Sequence, residues 1–217
     1  SQTRLAKYSL KLYEDLEVET GQATGFIKCG SIQLAVTKDK VEEMRRGCGL
    51  ARTFGVNHEE ISPKQIQDLF PLAYVDDLFA GFYFPDDGRV NPSDLTQALA
   101  KGAKNLGVKI YEDTLVTELI VENGQAVGVI TEKGEIRAEV VVLCPGMWGR
   151  EFGLMSGIDI PLQAAEHYYL ISEPIKEVHN KLPILRDPGR GIYAREEAGK
   201  IMLGIFEPEG VAWAKDG

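Results

Sequence analysis

The chain has 217 residues, of which 44% are hydrophobic and 26% charged, a composition that predicts a soluble globular protein with one large domain or two small ones. Its formal net charge of −9 argues against a nucleic-acid partner, because affinity for phosphate backbones comes mainly from Lys and Arg side chains. No apolar run in the sequence approaches the roughly 20 residues that a helix needs to cross a bilayer, so no membrane partner is expected.

The three cysteines stand far apart and form no C-x-x-C pair, which favours a reducing compartment, either the cytoplasm or the mitochondrial matrix of a eukaryote. The three histidines likewise lack the spacing of metal ligands. We therefore expect no metal site.

The first half of the chain predicts helices alternating with short strands. Apolar residues recur at helical spacing from Leu5 to Leu16, and Gly21 ends that helix. Strands are predicted over residues 26–36 and 79–84. Thr37, Ser62 and Asn91 each carry a capping side chain in front of a helical pattern, which predicts three further helix starts.

The second half predicts mainly strands. Strands over 115–121 and 126–131 flank Asn123-Gly124, the residues of a type I′ hairpin turn. A strand is also predicted to begin at 108–111, and the continuous apolar run at 140–143 predicts a strand buried on both faces, ending at Cys144-Pro145-Gly146. Three more strands are predicted over 165–172, 191–196 and 200–206. This order of elements is typical of the second half of a flavoprotein fold with two dinucleotide-binding units.

Several short segments occur in one order across nearly the whole chain. They are Glu19-Thr20-Gly21, Gly30-Ser31-Ile32, Asp87-Gly88-Arg89-Val90-Asn91-Pro92, Asp94-Leu95-Thr96-Gln97-Ala98-Leu99-Ala100, Gly146-Met147-Trp148-Gly149, Ala165-Glu166-His167-Tyr168-Tyr169, Leu182-Pro183-Ile184-Leu185-Arg186-Asp187, Ile192-Tyr193-Ala194-Arg195-Glu196 and Phe206-Glu207-Pro208. In this order they resemble the dimethylglycine and sarcosine dehydrogenase family of FAD-dependent oxidoreductases, within the D-amino-acid-oxidase-like superfamily.

The resemblance implies an α/β (α+β) chain: the central part of a two-dinucleotide-binding FAD fold plus an antiparallel-sheet substrate domain, without the N-terminal G-x-G-x-x-G unit. Residues 1–91 are assigned mainly to the substrate or cap domain. Residues 92–158 are assigned to the FAD-binding domain, and 159–217 to the antiparallel-sheet substrate domain.

The resemblance also implies the chemistry. FAD takes a hydride equivalent from the carbon next to the nitrogen of an N-methylated amino acid, which leaves an iminium. In sarcosine-type members the iminium carbon passes to tetrahydrofolate, bound in a C-terminal domain, or is hydrolysed. The glycine-rich phosphate turn and the histidine that many members bond covalently to flavin are not in this sequence. We therefore expect an internal fragment that does not retain flavin by itself.

Two candidate catalytic residues follow from the resemblance. His167 matches the family histidine in the A-x-H-x-Y segment, and Tyr193 matches the phenol of the Y-x-R-E segment. Tyr169 and Arg195 share the strand faces of these residues and are candidate substrate-binding residues, Arg195 as a carboxylate ligand. The alternatives are a core histidine, a tyrosine packed on a sheet and a solvated arginine. If the catalytic assignments hold, neighbouring strands should carry His167 and Tyr193 toward one cleft.

Three residues are candidates for binding the cofactor. Val116 matches a strand residue whose backbone lies against the adenine in this superfamily, and Gly146 ends the predicted buried strand, where a cofactor would approach. Trp148 follows two residues later, with a packing role as its alternative. Two other functions stay open: a non-catalytic regulatory subunit of the pyruvate dehydrogenase phosphatase type, which shares many of these motifs, and a cofactor-free binding module.

Overall fold

The computed structural model describes residues 2–213, and the chain forms two compact units. Unit 1 comprises Ser1–Val108 with His167–Pro208, and unit 2 comprises Lys109–Glu166 with Glu209–Gly217. Among the helices of residues 2–213, none is long and apolar enough to cross a membrane.

The helices of the described residues are α1 (Gln2–Thr20), α2 (Lys38–Thr53), α3 (Pro63–Leu69), α4 (Pro92–Asn105) and α5 (Gly149–Met155), with a 3-10 turn at Gly146–Trp148. The strands are β1 (Ser31–Ala35), β2 (Glu59–Ile61), β3 (Ala80–Phe84), β4 (Val116–Glu122), β5 (Gln125–Thr131), β6 (Gly134–Arg137), β7 (Tyr168–Ile171), β8 (Ile184–Asp187), β9 (Ile192–Glu197) and β10 (Lys200–Ile205). Strands β4 to β6 and helix α5 belong to unit 2, and the other strands and helices belong to unit 1.

Unit 1 is built around a seven-stranded sheet in the order β2-β3-β1-β8-β9-β10-β7. All neighbouring strands are antiparallel except β1 and β8, which run parallel. Helix α2 buries Val41, Met44 and Cys48 against Ala35 and Phe82 of the sheet. Ile66 of α3 packs with the strand residues that point to the opposite face, such as Ile32 and Leu34. The sheet is therefore covered on both faces around β1 and β3.

The predicted helix caps are confirmed. The Thr37 side chain accepts a hydrogen bond from the Lys40 backbone, and Asn91 accepts from the backbone N–H groups of Ser93 and Asp94. Ser62 and Gln65 form a reciprocal capping box at the start of α3. These caps satisfy backbone donors that a helix N-terminus leaves without partners.

Unit 2 contains the three-stranded antiparallel sheet β4-β5-β6 and the short helix α5. The predicted hairpin turn between β4 and β5 is confirmed, because Asn123 and Gly124 have φ angles of 53° and 78°, as a type I′ turn requires.

Two predicted strands are wrong. Residues 108–111 and 140–143 have no strand conformation, and Val140 and Val142 are 75% and 76% exposed. A strand is held by hydrogen bonds to a neighbour, and no described strand pairs with either segment. An apolar run alone therefore does not produce the buried strand that the pattern indicated. The assignment of residues 1–91, 92–158 and 159–217 to flavin-binding and substrate-binding domains stays a prediction.

Candidate functional site

An aromatic surface lies on one side of the β9-β10-β7 part of the unit 1 sheet. Tyr193 of β9 and Tyr169 of β7 both pair with Gly204 of β10, from opposite sides, so their side chains point to the same face. His167 lies two residues before Tyr169, and Phe206 lies two residues after Gly204. Both side chains therefore share that face. We call His167, Tyr169, Tyr193 and Phe206 the aromatic face.

The rings of this face contact one another. The ring centroids of His167 and Phe206 are 4.7 Å apart with the planes inclined by 24°, and those of Tyr193 and Phe206 are 5.8 Å apart. The His167 and Tyr193 centroids are 6.4 Å apart. Tyr169 and Phe206 are 60% and 53% exposed, so the face presents ring surface to whatever lies above it.

The predicted pair His167 and Tyr193 is thus brought together, although not on neighbouring strands. Strand β10 lies between β7 and β9, and the two side chains approach each other across it. The Nδ1 atom of His167 faces Glu207, with 3.7 Å between Nδ1 and Oε2. Within residues 2–213, the structure shows no hydrogen bond to the other ring nitrogen, Nε2. The catalytic role of both residues stays a prediction.

Gly204 makes room for the Tyr193 ring. A Cβ atom built on Gly204 would overlap the Cε1, Cζ and hydroxyl atoms of Tyr193, so the phenol lies flat over β10 where a side chain would otherwise stand. The ring is directed across the sheet toward Tyr169, the other partner of Gly204. The phenol of Tyr193 therefore occupies space that a side chain at position 204 would fill.

Two arginines flank Tyr193 on the same face. Arg195 follows on β9, where its guanidinium pairs with Glu197 at 2.7 Å and its Nε donates to the Met202 sulfur at 3.4 Å. Arg186 lies directly opposite Tyr193 on β8 and is exposed. The role of Arg195 as a carboxylate ligand stays a prediction.

A buried ion pair stands behind the aromatic face. Glu196, which points to the opposite side of β9, pairs with Arg89, and their side chains are only 5% and 14% exposed. The Glu196 carboxylate also accepts a hydrogen bond from the Gly199 backbone at 2.8 Å. The pair joins the turn after β3 to the β9-β10 hairpin that carries Tyr193.

Four residues of this region were not predicted as site residues: Phe206, Gly204, Glu207 and Arg186. The hairpin turn between β9 and β10 holds the missing signal, since Ala198 and Gly199 have φ angles of 51° and 77° and fix the strand register. Counting outward from Glu197 and Lys200 places Gly204 opposite Tyr193. Phe206 then falls on the same face.

Unit 2 contains a mainly apolar cleft of about 720 Å³. Val116 and Trp148 both line it, together with Val129, Pro145 and Phe152. Gly146 does not line the cleft, although it adjoins Pro145 and has a φ angle of 60°, a conformation that favours glycine. The structure thus places Val116 and Trp148 at one cleft, and their role in binding the cofactor stays a prediction.

This lining fits part of an FAD molecule. Its valines and aromatic rings suit an apolar ring system, and Val116 and Trp148 would hold such a ring. No lysine or arginine lines the cleft, so the described residues offer no cation there for a pyrophosphate. The cleft therefore fits the ring systems of the cofactor and not its phosphates.

A second groove, of about 770 Å³, lies in unit 1 along α1 and the turn after β3. Its charged residues are largely paired: Lys28 contacts Asp86 at 2.7 Å, and Asn57 donates to the same carboxylate at 2.6 Å. The hydrogen bonds from Lys28 and Asn57 lower the pKa of Asp86. This arrangement connects segments of unit 1 and contains no candidate catalytic residue.

The comparisons with known proteins agree with this architecture. The chain matches the family described as "DAO: FAD dependent oxidoreductase" over residues 1–216. It superposes on L-proline dehydrogenase from P. horikoshii with a TM-score of 0.86 and 29% identity, covering 96% of this chain and 55% of the other. The chain therefore belongs to the FAD-dependent oxidoreductase family, as the sequence predicted.

Curated relatives are similar over nearly the whole chain. Rat mitochondrial dimethylglycine dehydrogenase is 39% identical over 93% of this chain and 24% of its own length. The mouse mitochondrial regulatory subunit of pyruvate dehydrogenase phosphatase is 40% identical over 94% of this chain and 24% of its own length. The chain thus spans about a quarter of the length of these relatives.

Proposed function

We propose that this chain supplies the amine-binding face and part of the flavin-binding domain of an enzyme that oxidises the CH–NH bond of an N-methylated amino acid with FAD. The observation that supports the proposal is the aromatic face, where a histidine and three aromatic rings stand together on one side of the sheet. Family membership and the likeness to dimethylglycine dehydrogenase give the class of substrate.

The rings of Tyr193, Phe206 and Tyr169 suit an N-methylated amine. Methyl groups next to nitrogen are weakly hydrated and carry part of the ammonium charge, and aromatic faces attract such groups by about 0.5–2 kcal/mol each. On the aromatic face these rings lie within one patch, so a single small amine is able to contact several of them. The patch binds and orients the substrate.

His167 is the residue suited to moving the amine proton. An N-methylated amino acid is protonated in neutral water and must lose that proton before its carbon gives up a hydride. With Nδ1 facing Glu207, Nε2 of His167 is free to accept the proton, and stacking on Phe206 holds the ring in place. When bound, FAD supplies the chemistry of hydride acceptance.

A regulatory protein without catalysis is the second candidate. It is supported by the 40% identity to the phosphatase regulatory subunit. The identity to the dehydrogenase is 39% over a similar share of the chain. The two functions make different demands on the aromatic face, since only catalysis needs a proton acceptor there.

Anaerobic titration separates the two candidates. The full-length protein that carries this chain is purified with its flavin and mixed with dimethylglycine or sarcosine, with glycine as the control that lacks an N-methyl group. The proposed enzyme bleaches the flavin absorbance with the methylated amines and much less with glycine. A protein that holds flavin and is bleached by none of them supports the regulatory function, and a protein without flavin supports a cofactor-free binding module.

A further inference from the structure

The carboxylate of Glu207 lies beside His167, the residue proposed to take the amine proton. The Oε2 atom of Glu207 is 3.7 Å from Nδ1 of His167, and the two side chains are 32% and 39% exposed. This is the distance of an ion pair, slightly longer than a hydrogen bond, and contacts of this kind often tighten when a catalytic site binds its substrate. Within residues 2–213, Glu207 has no other hydrogen bond or ion pair, so no described side chain competes with His167 for its carboxylate.

The backbone around Glu207 is held by the residues on either side of it. The N–H of Phe206 donates to the carbonyl of Gly191 at 2.7 Å, which ties the chain after β10 to the residue before β9. Gly191 has a φ angle of 66°, and a Cβ atom built on it would approach the Phe206 carbonyl to 2.9 Å. Pro208 follows directly and disfavours helical backbone at Glu207. These contacts keep Glu207 beside the ring of His167, which itself stacks on Phe206.

The other titratable side chains of this side of the sheet do not pair with Glu207. The phenols of Tyr169 and Tyr193 approach His167 from β7 and β9. The remaining charged side chains that share this side on β8, β9 and β10 are Arg186, Arg195, Glu197 and Lys200. In the part of the chain that the structure describes, Glu207 is therefore the carboxylate paired with His167.

We infer that Glu207 is a positioning residue for His167: its carboxylate accepts the hydrogen of Nδ1, so that Nε2 carries the lone pair that takes the amine proton. A neutral imidazole has its hydrogen on one nitrogen only, and an acceptor at Nδ1 selects the form in which Nε2 is unprotonated. The N–H bond of the substrate ammonium then breaks, its electron pair stays on the amine nitrogen, and its proton forms the Nε2–H bond. The imidazolium formed in this step has an opposite charge at Nδ1.

The inference rests on the proposed function and adds the residue that determines which nitrogen of His167 acts. Glu207 does not contact the substrate in this account. Its effect should therefore appear in the chemical step and not in amine binding.

Anaerobic stopped-flow reduction of the flavin-loaded full-length protein by dimethylglycine tests the inference. Glu207→Ala should lower the limiting rate about 10-fold, the low end for a charge-assisted hydrogen bond because both side chains are partly exposed. Glu207→Gln keeps an acceptor oxygen without the charge and should retain part of the rate. The dimethylglycine concentration that gives half the limiting rate should stay within about twofold in both variants, because Glu207 acts through His167.

A double-mutant cycle distinguishes a positioning residue from a structural one. In a His167→Ala background, Glu207→Ala should change the limiting rate by less than about twofold, because residues that act as a unit have non-additive effects. Glu209→Ala is the matched control, since it removes the same charge from an exposed side chain two residues further along the chain and should leave the rate at the wild-type value. The inference is overturned if Glu207→Ala slows reduction equally with and without His167, or does not slow it at all.

Urea denaturation of the wild type, the two single variants and the double variant tests the contact without catalysis. Histidine side chains are mostly protonated at about pH 5.5, where glutamates remain mostly ionised, and are mostly neutral at about pH 8. The lowering of the urea midpoint by Glu207→Ala should therefore depend on His167 more at the lower pH. If this coupling is present and no N-methylated amino acid reduces the wild-type flavin, the contact stands and the proposed function fails. Additive effects at both pH values would show that Glu207 does not hold His167, whatever reaction the protein catalyses.

Discussion

At the scale of single residues, the position of the Tyr193 phenol depends on the absence of a side chain at Gly204. The two residues are direct partners on β9 and β10, and the ring fills the space in which a Cβ of residue 204 would stand. Close packing makes such space costly to refill, because added methyl groups force neighbouring side chains out of their preferred rotamers. Gly204 therefore acts on the aromatic face through Tyr193.

Gly204→Ala should destabilise the protein by about 1–3 kcal/mol, the usual cost of overpacking. In a Tyr193→Ala background the added methyl group meets no ring, so the same substitution should cost little. Urea denaturation of the four proteins of this double-mutant cycle measures the coupling, which we expect to exceed about 1 kcal/mol. Additive effects of the two substitutions would show that the ring does not lie over Gly204.

The buried pair of Arg89 and Glu196 gives a second prediction at this scale. Glu196→Gln removes one charge, keeps the shape and leaves Arg89 uncompensated, so it should destabilise unit 1 by about 3–5 kcal/mol. Asp68→Asn is the control, because its pair with Lys64 is 60% to 75% exposed and should contribute less than about 1 kcal/mol. Equal losses in chemical denaturation would contradict the buried role of Glu196.

The sequence predicted part of the site for a reason that is visible in the strands. His167 and Tyr193 follow from the resemblance to the family, and Tyr169 and Arg195 follow from alternation along the same segments, which is a local property. Gly204, Phe206 and Arg186 depend on which strands are neighbours and in what register, and a strand pattern does not specify either. The positive-φ turn at Ala198-Gly199 would have fixed one of these registers, and nothing in the sequence fixes the pairing of β8 with β1.

At the scale of secondary structure elements, the signals that lie within a few residues were reliable. The three helix caps and the Asn123-Gly124 turn are present as predicted, because each is set by hydrogen bonds or φ angles of adjacent residues. The strands predicted at 108–111 and 140–143 failed because a strand depends on distant partners. An apolar segment is suited to burial, but a strand also needs a neighbouring strand with which to form hydrogen bonds.

The cap of α4 allows a direct test at this scale. Asn91→Ala removes the acceptor for the backbone N–H groups of Ser93 and Asp94 and should cost about 1 kcal/mol of stability, whereas Asn91→Asp should retain most of it. Thermal or urea unfolding of both variants measures the difference. If Asn91→Asp is as unstable as Asn91→Ala, the side-chain oxygen is not the stabilising group.

The contacts of Asp86 link three segments of unit 1 and predict a pH dependence. Hydrogen bonds from Lys28 and Asn57 lower the pKa of Asp86, so its ionised form stabilises the fold above the ordinary carboxyl pKa, and that stabilisation is lost as pH falls through the lowered value. Asp86→Asn should therefore cost a few tenths of a kcal/mol at pH 6, small because these side chains are partly exposed. The difference from the wild type should shrink toward pH 3, and a constant difference would contradict the assignment.

At the scale of the whole molecule, each of the two units presents one kind of surface. Unit 1 presents an aromatic face with a histidine, and unit 2 presents an apolar cleft whose lining suits the ring systems of FAD. The family to which the chain belongs is FAD-dependent. The chain is similar to nearly the same degree to a dehydrogenase and to a regulatory subunit, so a measurement of activity has to distinguish the two functions.

The most direct test of the central claim is the rate of flavin reduction in variants of the aromatic face. Anaerobic stopped-flow mixing of the flavin-loaded full-length protein with an N-methylated amino acid separates amine binding from the chemical step. His167→Ala should slow reduction about 10²- to 10⁴-fold, the usual contribution of a positioned acid–base group. Tyr193→Phe should slow it less, and neither change should alter flavin content.

His179→Ala and Tyr168→Phe serve as controls in the same measurement. His179 is an exposed histidine in the segment before β8, and Tyr168 is on β7 with its side chain directed to the opposite face from His167 and Tyr169. We expect both controls to reduce their flavin at the wild-type rate. If His167→Ala and Tyr193→Phe also do so, with unchanged amine affinity, the aromatic face is structural and the amine is oxidised elsewhere.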